Sequence, residues 1–230
     1  MSLERLALFD LDHTLLSGDS DVLWCEFLME QGLLDRAAFG ARNADMETRY
    51  KAGTVGVQEF CNFYVGTLEG KTPRQWEAVR HEFLRTQVVP RVPTAALDLV
   101  KQHLAAGDLV VMTTATNRFI TELTAQYFGI EHLLATEAEL ADGLFTGRTS
   151  GRLNMREGKV ERLRQWLQER RQRLASFHST AYSDSINDLS LLEAVTQPVA
   201  VDPDTRLAAI ALERGWPILR LHGPALESAG

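Results

Sequence analysis

The chain has 230 residues, 45% hydrophobic and 24% charged, with 31 acidic against 24 basic side chains. That length and balance fit one large folded domain, or a domain carrying an insertion, and argue against a disordered chain. A net charge of −7 argues against a general nucleic-acid or polyanion binder. No apolar run approaches the ~18 residues that span a bilayer, and the opening MSLERLALFD has no basic region followed by a long apolar core. Cys25 and Cys61 are at no metal-like spacing and read as free thiols of a cytoplasmic protein. Neither a membrane nor a nucleic-acid partner is expected, and oligomeric state leaves no readable mark.

The first predicted strand is RLALFD, bounded by a polar turn. From about Ser17 to Pro90 the text becomes helical: SDVLWCEFLMEQG sets Leu23, Trp24, Phe27 and Leu28 at helix spacing and stops on Gly32, and VQEFCNFYVGTL and PRQWEAVRHEFLRTQV follow in the same style. After PRVP the pattern changes to a helix (TAALDLVKQHLAAG), a buried strand (DLVVMTT), a helix (NRFITELTAQYFG) and a short apolar run (EHLLAT). ELADGLFTGRTSG alternates around Asp142-Gly143, a two-residue hairpin signal. The stretch from Arg156 to Arg173, with seven basic and three acidic side chains, reads as a solvated helix face. The strand FHSTAYSD, a short helix, the strand QPVAV, the helix DTRLAAIALERG and the strand WPILRL complete the chain. This alternation predicts an α/β fold, a doubly wound parallel sheet covered on both faces, with a helical cap inserted after the first strand. The expected division is a catalytic core of residues 1–16 and 91–230 and a cap of residues 17–90.

Ligands of open parallel sheets collect beyond the carboxyl ends of the strands. The polar residues expected there are Asp10 and Asp12, Thr113 and Thr114, Asp184 and Asp188, with Lys159 opening a helix. Two carboxylates one residue apart at the end of a buried strand repel and lose hydration unless a positive group binds them.

These segments carry a family resemblance across essentially the whole chain. FDLDHTLL is similar to the first motif of haloacid dehalogenase-like phosphatases, VVMTTATN to the second, REGKVERL to the third and YSDSINDLSLLEA to the fourth. The helical insertion after the first motif resembles the phosphoserine-phosphatase-like branch. The resemblance implies a Mg²⁺-dependent phosphatase. Its metal ligands would be the Asp10 carboxylate, the Asp12 backbone carbonyl and the Asp184 carboxylate. Asp10 would also be the nucleophile, forming an aspartyl-phosphate, and Asp12 the general acid and base. Thr14 would help hold the first loop, and Thr114 and Lys159 would bind phosphoryl oxygens. Thr113 competes with Thr114, since an alternating strand points only one of them at the ligand. Asp188 would orient Lys159 or its loop. Asn187 would donate to phosphate or cap a helix, and Ser183 stands where relatives usually have Gly.

The substrate expected is a small phosphorylated metabolite. Asp19 aligns with the acidic residue that meets the substrate ammonium in phosphoserine phosphatases, or it caps the helix that follows. The Arg that holds the substrate carboxylate there aligns with Tyr64, which points to an amino-alcohol phosphate. The opening and the TATN turn also resemble bacterial members linked to histidinol-phosphate hydrolysis. Arg42, Arg49 or Arg118 are alternative sources of a guanidinium, with Arg118 the candidate for substrate binding. Trp24, Phe27 and Phe63 read either as core or as a stacking surface for an aromatic leaving group. The alternatives are a phosphoserine phosphatase or phosphotransferase of the same family and, more remotely, a receiver-like signalling domain or an inactive phosphate-binding module.

Overall fold

A computed structural model describes residues 3–51 and 54–223. The strands are β1 (Glu4–Phe9), β2 (Leu109–Asn117), β3 (His132–Ala141), β4 (Leu144–Ser150), β5 (Phe177–Ser183), β6 (Gln197–Val201) and β7 (Ile218–Leu219). Helices α1 (Ser20–Glu30), α2 (Arg36–Lys51), α3 (Val57–Val65), α4 (Pro73–Phe83) and α5 (Thr94–Ala105) lie between β1 and β2. The others are α6 (Arg118–Tyr127), α7 (Glu157–Glu169), α8 (Leu189–Ala194) and α9 (Thr205–Arg214). Among the described residues no helix is long and apolar enough to cross a membrane.

The strands form one sheet in the order β4-β3-β2-β1-β5-β6-β7. Every pair is parallel except β3–β4, the hairpin turning on Asp142 and Gly143, both at positive φ. From β1 the chain winds outward to β2 and β3, then returns to β5 on the other side and winds out to β6 and β7. This reversal of direction makes the crevice between β1 and its neighbours the place where a ligand fits.

Alternation along β1 explains how the sheet is covered. Leu6 and Leu8 pack with Val160, Leu163 and Leu167 of α7, Leu191 and Leu192 of α8 and Leu207 and Ala211 of α9. Ala7 and Phe9 face the other way, toward Ala96 and Val100 of α5 and Ile120 and Ala125 of α6. Trp24 and Phe27 join the second layer and pack with Trp76 and Phe83, and the Trp24 indole N–H donates to Thr67 Oγ1 at 3.0 Å. Their rings are core.

The helical segment after β1 is also fastened to the hairpin. The Gly70 N–H donates to the Phe145 carbonyl (2.9 Å), the Phe145 N–H donates to the Lys71 carbonyl (3.0 Å), and the Thr149 N–H donates to Asn62 Oδ1 (2.9 Å). Where the chain leaves and re-enters the sheet region, the Ser17 N–H donates to the Arg91 carbonyl at 2.9 Å.

Candidate active site

At the carboxyl end of β1, Asp10 is 6% exposed and Lys159, from the first turn of α7, is 3% exposed. The Lys159 ammonium lies 2.7 Å from Asp10 Oδ1 and 2.6 Å from Asp188 Oδ2, so it joins the ends of β1 and β5. The Ser183 hydroxyl donates to the same Asp188 oxygen at 2.8 Å. Ser183 thus supplies a donor, and its φ is not positive. Burial alone would lower the Lys159 pKa, but Asp10 and Asp188 outweigh it and hold the ammonium above its usual value.

The Thr14 hydroxyl stands 3.0 Å from Asp10 Oδ2 and 3.0 Å from Asp184 Oδ1, and it accepts from the Asp184 N–H. Its single proton serves one carboxylate at a time. Burial lifts the Asp10 carboxyl to about 7 against the pull of Lys159, with Asp188 and Asp12 adding to the rise. Burial, then the negative charge of Asp10, lifts Asp184 to about 8. Two oxygen-only side chains held at this proximity suit a hard divalent cation that keeps several waters and binds through one or two carboxylates. Among the described residues no group of three or more His, Cys, Asp or Glu is arranged as a complete metal cage. A set of two carboxylates completed by a backbone carbonyl does not need one.

Asp12 points away from this pair. Its Oδ1 accepts from the Ser20 N–H at 2.7 Å, and its Oδ2 faces the hydroxyls of Thr116 (3.0 Å) and Thr114 (3.3 Å). Burial and the nearby charge of Asp19 lift it to about 6, in the range where a carboxyl can both give and take a proton near neutrality.

Asp10, Asp12, Asp19, Lys159, Asp184, Asn187 and Asp188 line one pocket of about 210 Å³. A larger cleft, about 850 Å³, lies around Leu3, Phe177 and Ser179 at the opposite ends of the strands, and none of these carboxylates lines it. The converging charges therefore mark the candidate site better than volume does. Thr114 has no exposed surface and its hydroxyl faces Asp12, whereas the Thr113 hydroxyl accepts from Asn154 Nδ2 at 3.0 Å. Asn187 is exposed, and Ser185, not Asn187, caps the short turn Ile186–Asp188.

Asp19 caps α1, its Oδ1 accepting from the N–H groups of Asp21 (2.9 Å) and Val22 (3.0 Å). Arg118 is a correction, because it does not reach the pocket. Its Nε lies 3.0 Å and 3.1 Å from the two Glu137 oxygens, and its Nη2 donates to the Leu133 carbonyl, so an acidic partner on β3 draws it away. Arg42 lies over the Phe63 ring and Arg49 pairs with Glu59 at 2.9 Å. Among the described residues no arginine lines the pocket, and Tyr64 is buried, its ring packed edge-on against Phe60 of the pocket wall.

The structure adds residues that the sequence reading passed over. Thr116, Asp21, Phe60 and Met155 line the pocket. Thr116 follows Thr114 by two positions on a strand that runs on to Asn117, so period-two alternation could have found it. Asp204 also belongs here: it caps α9 through Oδ1 and accepts from the Ile186 N–H through Oδ2 at 2.7 Å, anchoring the loop that carries Asp184 and Asp188.

Comparisons with known proteins identify the family. Residues 7–193 match the family model of the haloacid dehalogenase-like hydrolases. The chain is 38% identical over 219 residues to a histidinol-phosphatase of Neisseria meningitidis serogroup C, covering 94% of this chain and 99% of that protein. It is 31% identical over 221 residues to the phosphoserine phosphatase SerB1 of Mycobacterium tuberculosis, covering 95% of this chain and 71% of that protein. A crystal structure of a Bordetella pertussis Tohama I protein of unknown function superposes with a TM-score of 0.93 at 45% identity, over 96% of this chain and all of that one. With that family model matched over residues 7–193, the chain belongs to the haloacid dehalogenase-like hydrolases.

Proposed function

We propose that this enzyme is a Mg²⁺-dependent phosphatase of small phosphomonoesters, working through an aspartyl-phosphate on Asp10, with histidinol phosphate as its leading substrate. The observation that carries the reaction class is the Asp10–Lys159–Asp188 arrangement, with Asp184 brought to Asp10 through Thr14. An oxygen of Asp10 attacks phosphorus, the bond to the leaving alcohol breaks, and Asp12 gives that alcohol its proton. Water then attacks the phosphorus of the acyl phosphate, Asp12 takes a proton from it, and phosphate leaves with Asp10 restored. Lys159, held by Asp188, offsets charge on the phosphoryl oxygens, while Thr114, expected beside it, has no exposed surface and supports Asp12 instead. Mg²⁺ held by the Asp10 and Asp184 carboxylates and the Asp12 carbonyl would neutralise the approach of a dianion to these acids. In this reading residues 17–90 form the cap that covers a core of residues 1–16 and 91–230.

The substrate rests on the pocket wall. No arginine lines the pocket among the described residues, so a substrate carboxylate has no guanidinium to meet there. Histidinol phosphate has an ammonium and an imidazole but no carboxylate, and the 38% identical relative is a histidinol-phosphatase. The test is phosphate release with Mg²⁺ from histidinol phosphate, phosphoserine and sugar phosphates side by side. Histidinol phosphate should have the highest kcat/KM, whereas a preference for phosphoserine would overturn the substrate choice.

A further inference from the structure

We propose that Asp21, in the first turn of α1, is the residue that binds the positive charge of the substrate's leaving group, while Asp19 holds the helix. The inference rests on the phosphatase reading above and concerns how that site selects among phosphomonoesters.

The pocket is lined by six carboxylates, Asp10, Asp12, Asp19, Asp21, Asp184 and Asp188. Each has a hydrogen-bond partner within 3.0 Å except the fourth. Lys159 serves Asp10 and Asp188, and the Thr14 hydroxyl serves Asp10 or Asp184. Asp12 has the Ser20 N–H and two threonine hydroxyls, and Asp19 has two backbone N–H groups. Asp21 Oδ1 is buried with no hydrogen-bond partner. Its Oδ2 has the Thr116 hydroxyl at 3.3 Å, but that hydroxyl carries one proton and lies closer to Asp12, at 3.0 Å. The Ser20 hydroxyl donates to Thr116 at 3.1 Å and so leaves the Thr116 proton free for Asp12. Asp21 is thus the lining acid with the least internal support.

A buried carboxyl oxygen without a donor costs free energy unless a ligand supplies one. Lys159 and His13 are the basic side chains among the lining residues; the first is committed and the second is exposed. Phe60 and Met155 line the same pocket and give it carbon surface. A carboxylate beside apolar walls suits an organic cation, an ammonium or imidazolium carried by the alcohol portion of the substrate. A residue with this role changes selectivity between charged and uncharged leaving groups, which a purely structural residue does not.

The experiment measures kcat/KM with Mg²⁺ for histidinol phosphate and for p-nitrophenyl phosphate in the wild type, Asp21→Asn and Asp19→Asn. Asp21→Asn should lower the ratio of the two by ~10–100-fold, mainly through KM, as expected for loss of one charge-assisted contact. Asp19→Asn keeps a good cap and should leave the ratio within about threefold. A parallel fall on both substrates in Asp21→Asn, or a ratio moved by Asp19→Asn instead, overturns the proposal. If the wild type cleaves p-nitrophenyl phosphate but refuses histidinol phosphate, the substrate choice alone fails. Phosphoethanolamine and ethyl phosphate, which differ by one ammonium, then carry the same comparison. Equal wild-type rates on that pair overturn the Asp21 assignment.

Discussion

Asp10 has two unlike neighbours: Lys159 on Oδ1 and Thr14 on Oδ2. Replacing it by Asn removes the proposed nucleophile but keeps an oxygen and a polar shape at the end of β1, and Asp188 continues to hold Lys159. Asp10→Asn should therefore bring phosphate release below detection while the urea unfolding free energy changes by about 1 kcal/mol or less. Measurable turnover by that variant would remove Asp10 from the nucleophile role. The acidic pairs were legible in the sequence because each follows the end of an apolar strand, whereas Lys159, set among the charged residues of REGKVERL, was singled out by the family resemblance. Asp21 was not, because an acid in the first turn of a helix is ordinary. Its distinction, a buried oxygen without a donor, exists only after β2 has carried Thr116 alongside. Arg118 failed as an expectation for a related reason: Glu137 is distant in sequence but adjacent across the fold.

Among elements, α7 shows how a local steric requirement delivers a functional side chain. A Cβ at Gly158 would lie 2.2 Å from the Leu153 carbonyl oxygen, so the backbone can pass there only without a side chain. Lys159 is the next residue, and its reach to Asp10 depends on that close approach. Gly158→Ala should cost ~1–3 kcal/mol in urea unfolding and lower kcat/KM by displacing the ammonium; wild-type values for both would show that the loop relaxes without moving Lys159. The elements with apolar periodicity were legible, including the hairpin through Asp142-Gly143. Helix α2 was not, because its described apolar contribution to the core is sparse, with Phe39 and Met46 seven residues apart and both buried. The last strand shrinks to Ile218–Leu219, since a sheet edge offers a partner on one side only.

At the scale of the whole molecule, the acidic site sets the pH response. Ordinary carboxyls titrate near ~4, but burial lifts Asp12 to about 6, Asp10 to about 7 and Asp184 to about 8. Between those limits the native state of the metal-free protein binds more protons than the unfolded chain, so stability falls as pH rises from about 4 to about 8. The metal-free protein should melt at a lower temperature at pH 8 than at pH 5. Mg²⁺, which needs the deprotonated acids, should raise the melting temperature more at pH 8. A melting temperature that does not fall over that range would contradict the native-state proton excess.

The bonds from Gly70, Lys71 and Asn62 to β4 have a consequence apart from catalysis. A sheet ends in a strand whose outward N–H and C=O groups are open to pairing with another chain. Here the edge at β4 has Phe145 and Thr149 already bonded to the helical segment, and the opposite edge is the two-residue β7. The helical segment between β1 and β2 therefore closes off the flank where a neighbouring molecule could otherwise add a strand and begin a fibril.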